Sequence, residues 1–325
     1  MNNIYKAIYN EIKRYKVIYI ARHIGPDPDA FGCQMSLRES IKLTFPDKKV
    51  YAVGTSVSRF KYFGKLDKVD NYDYDNSLLI VCDTPDKRRV DIENFDSFKN
   101  VLKIDHHPKV DTMGKVEYIK EDTSSASELI YELLTNTKLK INEEIAGYIY
   151  MGIVSDTNRF LYNSNYKTFE TVSGMIKKYN LDIENLYRKV YAKPLNEVRL
   201  MGHIASSMKV DKNGFAFIEI DEDVINALGA DTSAASNMIN DFNNINEVVV
   251  WTFVSYDSKN NQYRVNIRSR GPVINEIAAK YSGGGHKFAS GVRTTDKTVI
   301  DKLLKDLAEC CKDYKEKRSD KNGSN

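Results

Sequence analysis

Cysteine is scarce in these 325 residues. The four present, Cys33, Cys82 and the adjacent Cys310 and Cys311, form neither a disulfide framework nor a C-x-x-C zinc pair. They fit a reducing cytosol. No apolar run approaches the roughly 18 residues that a membrane span needs. The N-terminus, M-N-N-I-Y-K-A-I-Y-N-E-I-K-R-Y-K, is charged throughout and has no apolar centre of the signal-peptide kind. A cytoplasmic protein with no membrane partner is expected. Charge of one sign is lacking too: a net +3 is too small for bulk binding of long duplex nucleic acid, so a nucleic-acid partner should be short or gripped by a local patch. Histidine is the telling scarcity. Of five, His23, His106, His107 and His286 lie in acidic or glycine-rich clusters, and only His203, on a predicted helix, stands apart. That concentration points to a metal site more than to chance placement.

The length allows two domains, and 42% hydrophobic with 29% charged residues is ordinary for a globular protein. Ile4, Ile8 and Ile12 predict an amphipathic helix over 4–15, followed by a strand at Val17–Ala21 and a helix carrying Phe31, Met35, Ile41 and Phe45. Strands at Val50–Val53, Leu78–Cys82 and Val101–Ile104 follow. Ser125 with Glu128 forms a capping box for a helix to about Thr135, and a further helix covers Asn142–Val154. Strands alternating with helices indicate an α/β fold with a doubly wound, mainly parallel sheet. The polar helical stretch 186–208, interrupted by Pro194, reads as a linker between a metal-binding domain (1–185) and a smaller α/β domain (209–314). In the latter, a strand (Phe215–Ile220), a helix (Thr232–Asn240), a hairpin (Val248–Tyr256 with Gln262–Arg268) and helices over Val273–Lys280 and Val299–Cys311 are expected. The tail 315–325 is expected to be disordered.

The chemistry-bearing residues sit where these elements end. The first β–α turn reads His23-Ile24-Gly25-Pro26-Asp27-Pro28-Asp29-Ala30, an imidazole and two carboxylates on a proline-stiffened loop. An extended loop would aim Asp27 and Asp29 in different directions, which suits two neighbouring ions; a proline-rich turn with Asp29 capping the next helix would give the same letters. Leu78–Cys82 ends at Asp83-Thr84-Pro85. The buried strand of V-L-K-I-D-H-H-P ends at Asp105-His106-His107, at the carboxyl end where open α/β sheets hold ligands. The 142–154 helix ends at Ser155-Asp156-Thr157. A cap or a polar turn explains any one of these; four together, two with histidine, form a joint pattern. Oxygen and imidazole ligands without cysteine favour a hard ion, Mn²⁺ or Mg²⁺, with histidine tilting toward Mn²⁺. Two such ions about 3.5–4 Å apart lower the pKa of a bridging water and clamp a phosphoryl oxygen.

In the second half, Gly283, Gly284 and Gly285 would let a phosphate or sugar approach the backbone and could form an anion nest, with His286 stacking on a base or donating to a phosphate. Arg268 and Arg270 alternate along a strand and share a face suited to bidentate phosphate contacts. A flexible turn beside a solvated basic strand is the plainer reading of the same residues.

Taken in order, H-x-x-P-D-x-D-A-x-G (His23 to Gly32), D-T-P (Asp83), D-H-H (Asp105 to His107) and S-D-T (Asp156) resemble the DHH phosphoesterase superfamily. Arg268-Ser269-Arg270-Gly271 followed by Gly283-Gly284-Gly285-His286 resembles its DHH-associated C-terminal domain, and the motifs together span about residues 17–295. Order and spacing most resemble the NrnA branch. The resemblance implies a Mn²⁺-dependent (or Mg²⁺-dependent) hydrolase, both oligoribonuclease and pAp phosphatase, that cleaves short RNA to mononucleotides and pAp to AMP by two-metal hydroxide attack, with the active site in an interdomain cleft. It implies His23, Asp27 and Asp83 on one ion and Asp29, Asp83, His106 and Asp156 on the other. It further implies Asp105 orienting the histidines, His107 on the scissile phosphate, and Arg268, Ser269, Arg270 and Gly283 to His286 holding substrate. A phosphodiesterase for linear dinucleotides such as pApA, or a nucleotide-binding sensor without catalysis, would carry the same motifs, and the resemblance leaves room for a homodimer. Two departures stand out: Pro28 where the family commonly has glycine, and Asp156-Thr157-Asn158-Arg159 where it often has D-T-G.

Overall fold

The apolar run that ends in Asp105-His106-His107 is the fourth strand of a five-stranded parallel sheet. The computed structural model describes residues 3–231, 234–258 and 260–322. The chain divides into two units, residues 1–192 and 193–325. In the first, α1 (Asn3–Arg14), β1 (Val17–Ala21), α2 (Pro28–Thr44), β2 (Lys49–Ala52), β3 (Leu78–Cys82), β4 (Val101–Asp105) and β5 (Val116–Ile119) precede α3 (Ala126–Thr135), α4 (Glu143–Asp156), α5 (Tyr166–Tyr179) and α6 (Ile183–Tyr191). The sheet order is β2-β1-β3-β4-β5, so the winding reverses between β1 and β3. The carboxyl ends flanking such a reversal open a crevice, and ligands bind there.

Alternation along the strands divides the core. Ile18, Ile20, Leu78, Ile80, Leu102 and Ile104 face a cluster to which all six helices contribute. Tyr19, Ala21, Leu79 and Val81 face the other way, under Val90, Phe98, Met113, Tyr72 and Tyr74 from the connecting segments. Helices therefore cover one face and long connections the other, and both faces are apolar, as a parallel sheet requires. The parallel α/β architecture expected from the sequence is present. β5 and α5 were not expected: β5 is a four-residue edge strand, and α5 buries only Thr168, Val172 and Met175, a stripe too narrow to read from apolar spacing; α6 covers the start of the helical stretch expected from 186.

The second unit holds α7 (Leu195–Ser207), β6 (Lys209–Val210), β7 (Phe215–Ile220), α8 (Glu222–Ala227), α9 (Ala234–Asn237), β8 (Val250–Asp257), β9 (Gln262–Ser269), α10 (Asn275–Lys280), β10 (Gly284–His286), β11 (Ala289–Thr294) and α11 (Lys297–Asn322). These strands form a mixed sheet in the order β10-β11-β9-β8-β7-β6, with β7 and β8 parallel. Three sequence expectations change here. The stretch 186–208 is not a free linker, because α6 closes the first unit while α7 buries Leu200 and Ile204 in the second. The helix expected from Thr232 to Asn240 shrinks to α9 and a 3₁₀ turn at Ile239–Phe242, and Thr232 itself lies outside the described residues. The tail expected to be disordered is helical as far as Asn322, because α11 is anchored by Ile300, Leu303, Leu307 and Cys311 and simply continues. All four cysteines are free, and no described helix is long and apolar enough to cross a membrane.

α2 and α4 approach closely because two glycines meet. A Cβ on Gly32 would lie 2.8 Å from Ser127 Oγ and from Tyr148 O; one on Gly152 would collide with Ser127 and lie 2.9 Å from Asp29 Oδ1. Gly32 closes the first motif, so the motif's glycine is a packing requirement beneath its aspartates. Gly152→Ala should cost roughly 1–3 kcal/mol through overpacking. Gly174→Ala, on α5 with nothing within 4 Å, should gain about 0.4–1 kcal/mol from the unfolded state. Chemical denaturation of both variants checks the pair, and equal effects would contradict the packing.

Candidate metal centre

Four chain segments converge at the carboxyl end of the sheet, and each orients its side chain by a different local device. Asp27 is the N-cap of α2: its Oδ1 accepts from Ala30 N at 3.0 Å, and Pro28 occupies the first turn, where its missing N–H is no loss. Asp29, in the same turn, is buried and reaches another helix. Its Oδ2 accepts from Ala126 N at 2.8 Å and its Oδ1 from Ser127 N at 2.9 Å, so its charge sits on the positive end of α3. The helix that the sequence left open to capping by Asp29 is thus capped by Asp27. Of the expected capping box on α3, Ser125 Oγ does accept from Glu128 N at 3.1 Å. The Glu128 carboxylate, however, turns to Ser124 and Thr168.

Asp83 follows β3 at φ +48°, a left-handed conformation that few residues other than glycine, asparagine and aspartate adopt readily. It faces imidazoles on two sides: Oδ2 lies 3.5 Å from His23 Nε2, and Oδ1 lies 3.6 Å from His106 Nε2 and 3.5 Å from His107 Nδ1. His106 Nε2 also lies 3.6 Å from Asp156 Oδ2, and His23 Nε2 lies 3.9 Å from Asp27 Oδ2. His107 is fixed by Asp105, whose Oδ1 accepts from its Nδ1 at 2.9 Å and its backbone N at 3.2 Å. Three groups of potential ligands overlap: His23 with Asp27 and Asp83; Asp83 with His106 and His107; and Asp29 with His106 and Asp156. Within each, one atom per residue lies within 4.8 Å of the others. All six residues read as ligands from the sequence, and His107, fall in these groups, with Asp27 and Asp29 in separate ones; Asp105 lies outside them and joins through His107.

The electrostatics are unbalanced. Burial pushes the Asp83 and Asp156 carboxyls well above the usual carboxylate range, and neighbouring carboxylates push them further; burial also raises Asp29. Asp105 goes the other way: burial would raise it, but the hydrogen bonds and charge of His107, with Lys103, hold it below the usual range. Two buried cations that border these motifs in sequence are bound to other carboxylates, Arg22 to Asp91 at 2.7 Å and Lys103 to Asp105 at 3.1 Å. Asp83 Oδ1 is buried and accepts no hydrogen bond. Oxygen and imidazole donors around an orphaned carboxylate oxygen are what a divalent cation such as Mn²⁺ fits.

One feature was not read from the sequence, and one departure from the family pattern finds its reason here. Arg22, fully buried one residue before His23, donates to Asp91 Oδ2 and to Thr55 O, each at 2.7 Å, and lies 4.2 Å over the Phe31 ring. It ties the loops after β1, β2 and β3 together behind His23; a cation bordering an apolar run was the available signal. The other is the turn after Asp156, where Asn158, Arg159 and Phe160 all have positive φ, at 45°, 63° and 66°. Asparagine tolerates the left-handed conformation that glycine would take in D-T-G, which explains that departure. The exposed Arg159 guanidinium lies 4.2 Å over the ring of Tyr191.

In the second unit, strand register brings His286, Ala289 and Arg268 into one row across β10, β11 and β9, with Gly284, Gly291 and Asn266 in the next row on the same face. Arg268 Nε donates to Asn240 Oδ1 at 2.8 Å. Ser269 does not join this face: its hydroxyl is buried, donating to Pro272 O at 2.7 Å and accepting from Gly271 N. Arg270 lies past the strand and donates to the carbonyls of Ile245 and Val248. The glycine run is neither a nest nor a loose turn. Gly283 N–H is spent on Ala278 O at 2.9 Å, and Gly284 to His286 form an edge strand with Gly285 at φ +138°.

The description "DHH family, N-terminal domain" matches residues 17–153, and "DHHA1 domain" matches residues 218–313. The bifunctional oligoribonuclease and PAP phosphatase NrnA of Bacillus subtilis is 38% identical over 307 residues, covering 93% of this chain and 97% of that one. A probable enzyme of the same name from Streptococcus mutans is 32% identical, covering 95% and 99%. A crystal structure of an exopolyphosphatase-related protein from Bacteroides fragilis superposes with a TM-score of 0.84 at 24% identity, covering 96% and 98%, a likeness of fold.

Groups whose carboxyls rise on folding bind protons more tightly when folded, so they lose stability as pH climbs from about 4. In chelator, the thermal midpoint of wild type should therefore fall more steeply than that of Asp83→Asn as pH rises above about 4, and Mn²⁺ should remove the difference. Identical slopes in chelator would contradict the charge imbalance.

Proposed function

Because the chain belongs to the DHH family and carries a DHHA1 domain, we propose that it is a Mn²⁺-dependent hydrolase that cleaves very short RNA to mononucleotides and dephosphorylates pAp to AMP. The observation that carries the reading is Asp83, one carboxylate whose two oxygens face His23 on one side and His106 and His107 on the other. Relatives whose names state both activities, covered over nearly their whole length, support the substrate class. In this reading His23, Asp27 and Asp83 hold one divalent cation, and Asp29, Asp83, His106 and Asp156 hold the other. When bound, such a pair neutralises phosphoryl charge and makes water acidic enough to attack at neutral pH.

The chain's own groups supply orientation and the proton. With Nδ1 committed to Asp105, His107 has Nε2 left to meet the scissile phosphate or to protonate the leaving 3′-oxygen. The row of Arg268 and His286, floored by Ala289 and bordered by Gly284 and Gly291, suits nucleotide recognition: a bidentate cation for phosphate, an imidazole for a base, and little side chain between them. Gly283 and Gly285 serve this face by their backbone shape. Ser269 and Arg270 are turn-formers and drop out of the substrate set. The free cysteines are consistent with the cytoplasmic location that the reading includes.

Turnover of pAp, pApA, a longer RNA and pyrophosphate under saturating Mn²⁺ tests the reading. Rapid loss of pAp and the dinucleotide, with slower loss of longer RNA, is the expected result. Cleavage of pApA without pAp would favour the dinucleotide enzyme; binding of pAp without any turnover would favour the sensor. Asp83→Ala should abolish hydrolysis, whereas Arg268→Ala should raise KM about 10-fold or more, in keeping with a charge-assisted contact worth about 1.5–3 kcal/mol, with kcat changed less. Normal turnover by Asp83→Ala would overturn the metal-centred reading.

A further inference from the structure

We propose that Lys103 is a positioning residue of the metal centre: a buried ammonium that holds Asp105 in place and, through Asp105, sets both histidines of the D-H-H motif. Lys103 lies in the middle of β4 and is fully buried, among Val81, Leu79 and other apolar residues of the loop-covered face. Removing an ammonium from water is expensive unless it is tightly partnered, so a lysine here needs a compensating role. Its Nζ has two partners, Asp105 Oδ2 at 3.1 Å and the Pro85 carbonyl at 3.0 Å.

Those two partners define the role. Lys103 and Asp105 are two apart on one strand and so project to the same face. Pro85 lies two residues after Asp83 on the neighbouring strand's loop. The Pro85 carbonyl pins the ammonium, and the ammonium pins Asp105. Asp105 divides its work: Oδ1 takes both hydrogen bonds from His107, while Oδ2, buried, takes no hydrogen bond and faces the Lys103 charge. Rotation of that carboxylate would release the His107 ring and the peptide joining it to His106. The other carboxylate near Lys103 does not compete. Glu117, its register partner on β5, is held by Lys109 Nζ at 2.7 Å and by the Met113 and Gly114 N–H groups. Partners that orient metal-bound histidines are worth about 10–100-fold in metal affinity; Lys103 and Asp105 act on His106 through the peptide that joins it to His107.

The inference rests on His106 and Asp83 being metal ligands, and calorimetric Mn²⁺ binding tests it without any substrate. Lys103→Met should fold with a lowered thermal midpoint and bind Mn²⁺ about 10-fold more weakly, with kcat on pAp falling more than KM changes. Asp105→Asn should weaken Mn²⁺ similarly, and the double variant should be little worse than either single one. Unchanged Mn²⁺ affinity in folded Lys103→Met, or losses that add fully in the double variant, would overturn the proposal. If Lys103→Met fails to fold, Lys103→Gln, which keeps a donor without the charge, takes its place under the same criteria. Wild type that binds Mn²⁺ but leaves pAp and RNA intact would count against the proposed function alone, because the affinity comparison would still stand.

Discussion

Carboxylates packed into one corner, beside buried cations that are bound to other carboxylates, are the constraint on which this structure turns. Asp29 and Asp83 are buried and Asp156 is half-buried beside them, and burial with mutual repulsion raises their carboxyls; an uncompensated buried charge costs several kcal/mol. The fold partly offsets this with fixed dipoles, placing Asp29 on the N–H groups of Ala126 and Ser127. It leaves Asp83 Oδ1 unsatisfied. A site that is merely structural would have been rid of that atom or given it a donor. Here the imidazoles of His106 and His107 lie 3.6 and 3.5 Å from it, too far to satisfy it directly.

The surrounding architecture follows from the need to bring these groups together. A parallel sheet whose winding reverses between β1 and β3 brings the strand ends that carry His23, Asp83 and Asp105 side by side. Glycines at 32 and 152 let α2 and α4 approach so that Asp29 and Asp156 meet across them. Left-handed backbone at Asp83 and at Asn158 to Phe160 turns the chain sharply just where ligands must point inward. Two buried cations, Arg22 and Lys103, stitch the loops from behind: each is bound to a carboxylate outside the ligand groups, and each lies one to three residues before a histidine of the cluster.

Much of this was legible in the sequence because it is written locally. An apolar run stopped by Asp105-His106-His107 announces a strand end, and the capping geometry of Ser125 is encoded within four residues. What stayed hidden depends on partners far apart in the chain. Asp29 could be read as a cap because its real donors lie about a hundred residues away, on α3. Ser269 sat inside a promising R-S-R-G string, yet strand parity turns its hydroxyl into the core. The glycine run suggested a nest, but pairing with β11 makes it an edge strand. The tail's polarity suggested disorder, although a helix anchored by Leu303 and Leu307 carries it on to Asn322.

Counting metal ions is the most direct test of the charge-balanced centre. Chelator-stripped protein is equilibrated with Mn²⁺ by dialysis, and bound metal per chain is measured for wild type and for Asp83→Asn. Two ions per chain in wild type, with at least one lost when Asp83 is neutralised, is the predicted result. No saturable Mn²⁺ binding, or the same count in both proteins, would contradict it.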